Sequence, residues 1–178
     1  SAQYPELATY VSPEAGANVV VPHRLAISLL QAHGLKNMNN FTGDSPYVTC
    51  EVKHHDPAAE STCVETKAVA EGDTLNPFWG ETHNLEPWFE GESLEFTIYD
   101  KGLVASKTEG KVVLPCDIFS PQGFSGMVAI SGLPHALLHV IVRPLGPLVS
   151  SGETAEDSAS SKKKKKKVKV SKKSKQCC

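Results

Sequence analysis

From Arg24 to Arg143 the chain consists of short runs of β-branched and apolar residues, each cut off by a cluster of Gly, Pro, Asn or Asp. No window shows the 3.6-residue apolar stripe that a packed helix needs, so the chain is confined to strands joined by turns. Eight runs qualify, at residues 24–31, 47–53, 61–69, 78–84, 93–99, 109–114, 126–131 and 136–143. Alternation is sharpest in 93–99, where Leu94, Phe96 and Ile98 share one face and Ser93, Glu95, Thr97 and Tyr99 the other. The first set is expected in the core. Eight short strands predict an all-β, eight-stranded antiparallel sandwich, with one helical turn at residues 115–119.

Three segments follow: an extended lead-in at 1–22, the sandwich at 23–146, and a tail at 147–178. In the tail the composition falls to Ser, Glu, Asp and then Lys, with too little apolar surface to offset the entropy of ordering, so a disordered segment is expected. The net charge of −2 hides a division. Residues 1–150 carry 8 Lys/Arg against 17 Asp/Glu, whereas the tail carries Lys162, Lys163, Lys164, Lys165, Lys166, Lys167, Lys169, Lys172, Lys173 and Lys175 and ends in Cys177-Cys178. An acidic body with a basic tail points to an anionic partner for the tail. The five cysteines show neither a disulfide framework nor CxxC metal spacing. No apolar stretch approaches the length of a membrane span.

Several strings resemble the C2 domain family, in order and at suitable spacing. LLQAHGLKNMNNFTGDSPYVTCEV at 29–52 is similar to that family's strand, first calcium loop and following SDPYV strand. TLNPFWGET at 74–82 resembles its T-x-N-P-x-W-x-E segment, SLEFTIYDKG at 93–102 its L-x-F-x-V-Y-D strand, and EGKVVLP at 109–115 the strand after the third loop. Asn76-Pro77 also has a plain physical reading, since Asn favours a turn, Pro cannot donate to a ladder, and Trp79 then anchors the core.

The resemblance implies five ligand positions, usually Asp, on two calcium loops. They fall here at Asn39, Ser45, Asp100, Gly102 and somewhere among Ser106, Lys107 and Thr108, so one carboxylate of the five is kept. Asp44 stands one residue ahead of its expected place, Glu109 lies beyond the third loop, and Lys101 and Lys107 compete for the acids. A hard dication wants six to eight oxygens, several of them from carboxylates. Calcium binding is therefore expected to be absent or weak, with no other cofactor. Phe41 in the first loop and Leu103-Val104 in the third are the candidate membrane-inserting tips. Lys53 and Lys67 stand alone among seven acids over 47–84, which argues against a basic phosphoinositide face there.

No nucleophile elbow, phosphate-binding glycine loop or HExxH occurs, so an enzyme is not expected. His54-His55-Asp56 lacks a second ligand pair at zinc spacing and reads as a solvated loop. The expectation is a monomeric, cytoplasmic C2 module, peripheral on an anionic phospholipid membrane, held by the lysines and by lipid on Cys177 or Cys178, with the sandwich free for a protein partner. Its rival is a soluble protein-interaction domain whose lysine run is a nuclear-localisation or nucleic-acid segment. The terminal thiols favour the membrane, because import needs none.

Overall fold

A computed structural model describes residues 20–38 and 43–148. It has eight strands and one helical turn: β1 (His23–His33), β2 (Pro46–Lys53), β3 (Cys63–Glu65), β4 (Phe78–Trp88), β5 (Ser93–Lys101), β6 (Ser106–Leu114), α1 (Cys116–Phe119), β7 (Phe124–Ala129) and β8 (Leu137–Pro147). They form two four-stranded antiparallel sheets, ordered β4-β1-β8-β7 and β3-β2-β5-β6. The expected all-β sandwich is what the chain forms.

The core is the meeting of the two inner faces. Leu25, Ile27 and Leu29 of β1 and Leu138, Val140 and Val142 of β8 face Val48, Cys50 and Val52 of β2 and Leu94, Phe96 and Ile98 of β5. The period of two seen at 93–99 thus reports burial directly: those three apolar side chains are fully buried. Trp79 and Trp88 enter as anchors, each with its indole N–H spent on a backbone carbonyl, Pro46 at 3.1 Å and Glu92 at 2.9 Å. A large aromatic is buried at low cost only when its polar edge finds such an acceptor.

The third strand is shorter than its apolar run at 61–69 implies, and the reason is local. Beyond Glu65 the chain stays beside β2 through irregular bonds, Thr66 N–H to the Val48 carbonyl and Val69 N–H to the Pro46 carbonyl, both at 3.0 Å. The Thr66 hydroxyl takes the Val48 N–H that a regular ladder would have bound, at 3.1 Å. Gly110 in β6 is required by close approach, because a Cβ there would sit 2.9 Å from the Ser131 carbonyl oxygen. That contact presses the 130–136 turn onto β6 beside Glu109.

Candidate functional site

Strand direction defines two ends of the sandwich. Pro46 of β2 pairs with Asp100 of β5 at one end, and Lys53 pairs with Ser93 at the other. The first is the loop end, where residues 43–45 lead into β2 beside the end of β5 and the 102–105 loop.

Asp44 and Asp100 are both buried there, at 4% and 0% exposure, and both are engaged by the chain's own backbone. The Asp44 carboxylate accepts the Met38 N–H, at 3.0 and 3.1 Å to its two oxygens. Asp100 Oδ1 accepts the Ser45 N–H at 2.7 Å, while Lys101 N–H donates to the Ser45 carbonyl at 3.0 Å. The carboxylates thereby close the loops on β2 and β5, work for which Asp is well suited. Ser45 contributes its backbone to this arrangement. Asn39 and Phe41 lie outside the described residues.

Glu109 completes the buried acids of this end. It is the extra residue of the β5–β6 bulge, between Thr108, which pairs with Tyr99, and Gly110, which pairs with Ile98, and neither side-chain oxygen has a hydrogen-bond donor. Its carboxyl is pushed up to about 7, first by burial and then by the nearby charges of Asp100 and Asp44. The Lys36 backbone N–H opposes this without reaching hydrogen-bond geometry. Among the described residues no group of three or more His, Cys, Asp or Glu is placed to hold a metal ion.

Outside these acids the end is apolar and basic. Leu103 and Val104 at the tip of the β5–β6 loop are 92% and 100% exposed. Lys36 follows β1, Lys101 ends β5, and Lys107 of β6 is opposite Asp100 across the β5–β6 ladder.

The other end holds an arrangement that sequence reasoning missed. His54 is not a solvated loop residue, since its side chain is 8% exposed and Glu92 beside it is 4% exposed. His54 Nδ1 lies 3.0 Å from both Glu92 oxygens and Nε2 lies 3.0 Å from the Thr62 hydroxyl. Glu92 also accepts the backbone N–H groups of His55 and Phe89, at 3.1 and 3.0 Å. These groups pin the 54–62 segment to the β4–β5 turn. The sequence carries no signal for it, because the residues after β2 come beside those before β5 only when Lys53 pairs with Ser93. A hydroxyl–imidazole–carboxylate chain this deeply buried presents no nucleophile. Cys50 presents none either, because complete burial pushes its thiol far up. Between the edges of β3 and β4 runs an open groove containing Lys67, Lys101 and His83, but also Glu65 and Glu81. Glu81 is itself spent on the Lys67 N–H and on His83.

No helix among the described residues is long and apolar enough to cross a membrane. The lysine tail and Cys177-Cys178 lie outside the described residues.

No curated protein matches the sequence. Among solved structures the fold is similar to the C2A domain of plant Extended Synaptotagmin 1, with a TM-score of 0.59 and 18% identity over 73% of this chain and 98% of that one. It is similar to the calcium-bound C2A and C2B domains of Extended-Synaptotagmin 2, with a TM-score of 0.58 and 18% identity over 71% of this chain and 47% of that one. Human GIVD cytosolic phospholipase A2 gives a TM-score of 0.58 and 21% identity over 72% of this chain but only 17% of the phospholipase. At such identities these likenesses establish the fold alone. The sequence itself matches the C2 domain profile over residues 23–127, more than half of its length, and the chain belongs to the C2 domain family.

Proposed function

We propose that this C2 domain is a calcium-independent, non-catalytic membrane module that the lysine tail attaches to anionic phospholipid, with the loop end as the sandwich's own contact surface. The observation that carries the reading is how Asp44 and Asp100 are used. Each accepts a backbone N–H of the loop it closes, which supports a loop end closed by the chain's own donors. A bare apolar tip, Leu103-Val104, with Lys36, Lys101 and Lys107 in the flanking segments, has the chemistry to meet the acyl boundary and the anionic headgroups together.

The tail supplies the second signal. Each lysine near an anionic leaflet contributes about 1 kcal/mol, reduced by salt and by mutual repulsion. Stable attachment takes two signals, and acylation or prenylation of Cys177 or Cys178 provides the other. Sedimentation of unlipidated chain with phosphatidylserine vesicles tests the electrostatic half. Binding at low salt, release near about 0.5 M salt and loss when the ten tail lysines become glutamine are expected. Binding that ignores both salt and those lysines refutes it. Mass spectrometry of protein from its native cell tests the lipid half, and an unmodified C-terminus refutes that part.

A further inference from the structure

Arg24 and Arg143 are the protein's two arginines, and they stand on neighbouring central strands of one sheet. Arg24 of β1 is opposite Gly146 of β8, and Arg143 of β8 is opposite Ala26 of β1. Leu25 and Val142, their chain neighbours, point into the core, so the alternation turns both arginines onto the outer face. Neither takes part in an ion pair among the described residues, although the body is strongly acidic. The acid nearest in register is Glu86 of β4, which lies between the pairs Leu25–Leu85 and His23–Trp88, and it is exposed and makes no ion pair. Arg24 Nε is buried with no acceptor. A buried guanidinium N–H without a partner is costly, so Arg24 keeps donor capacity that an anion can answer.

The place matters as much as the pair. The Leu148 N–H donates to the Pro22 carbonyl at 2.7 Å, so the chain leaves the sandwich toward the lysine tail beside the start of β1. The arginines lie at this corner, at the end opposite Leu103 and Val104.

We propose that Arg24 and Arg143 form an anion-binding corner that takes the phosphate of a phospholipid headgroup from the bilayer that holds the tail. Guanidinium suits this task because its planar edge offers two parallel N–H donors to two oxygens. Arg143 is exposed and Arg24 half-exposed, and the two share this corner of the outer face. The corner gives the sandwich a lipid contact at the end opposite the Leu103-Val104 tip.

The inference rests on the membrane reading above, and the two fail differently. Full-length chain, R24Q/R143Q, R143Q alone and the tail lysine-to-glutamine variant are compared on phosphatidylcholine vesicles with and without phosphatidylserine. R24Q/R143Q should bind the anionic vesicles roughly tenfold more weakly at unchanged melting temperature. Exposed Arg143 carries the test if the double variant does not fold, and R143Q should lose roughly threefold. Unchanged binding by the arginine variants while the tail variant loses it overturns the corner and leaves the membrane reading standing. No binding by the unaltered chain overturns both. Saturable binding of inorganic phosphate that R24Q/R143Q loses, with vesicle binding unchanged by the same substitutions, overturns the lipid headgroup as the source of the anion.

Discussion

The two ends of this sandwich bury carboxylates in opposite ways. At the far end Glu92 receives His54 and two backbone N–H groups, so its charge is fully answered and two segments are locked together. At the loop end Glu109 is buried with both oxygens unpaired, between the charges of Asp44 and Asp100. The first arrangement builds stability, and the second spends it. Proteins tend to break local rules where they bind or react, and here the rule is broken at the loop end.

The largest effect should come from breaking the far end. E92A leaves the His54 ring and the His55 and Phe89 N–H groups without their acceptor in a buried site, which should cost about 3 kcal/mol in denaturant unfolding. A loss below about 1 kcal/mol would show that water or the loop replaces Glu92, and that the ends differ less than they look.

Glu109 should behave with the opposite sign. Its folded-state carboxyl titrates near 7 instead of 4.5, so the native protein keeps a proton that the unfolded chain releases. Stability therefore falls as pH rises between those values and levels off above them. E109Q should remove this slope and stabilise the protein by roughly 1–2 kcal/mol at pH above 7, after discounting for partial solvent screening, with little effect near pH 4. Parallel pH profiles for the two proteins would sink the assignment.

D100N tests the coupling at the same end. Asn keeps an acceptor for the Ser45 N–H but weakens the bond, so about 1 kcal/mol should be lost. The Glu109 carboxyl should also move back toward its ordinary range, since Asp100 is one of the charges that hold it up. Carboxyl NMR titration of Glu109 reads that shift directly.

The smallest effect on stability belongs to the tip. L103S/V104S removes only exposed side chains and should change the unfolding free energy by less than about 0.5 kcal/mol. A larger change would show that the tip packs against the body and is not held out for contact.

Most of the fold was legible in the sequence because sheet burial imposes a strict period of two, and Leu94-Phe96-Ile98 displays it without ambiguity. The third strand was overread, since Thr66 uses its hydroxyl where the ladder would have used backbone, and composition does not register that choice. The loop-end acids Asp44 and Asp100 were visible because they sit inside recognisable strings. Glu92 was not, because its partners His54 and His55 are 38 and 37 residues away and meet it only through strand pairing. Arg24 and Arg143 were likewise invisible as a pair until β1 and β8 lay side by side.

The central claim is that the loop end works without calcium, and vesicle partition of the full-length chain tests it most directly. Binding to phosphatidylserine vesicles should be the same in excess chelator as in about 1 mM calcium, because Asp44 and Asp100 are already engaged by the backbone. Partition that requires calcium, or a calorimetric calcium dissociation constant below about 10 µM, would contradict it.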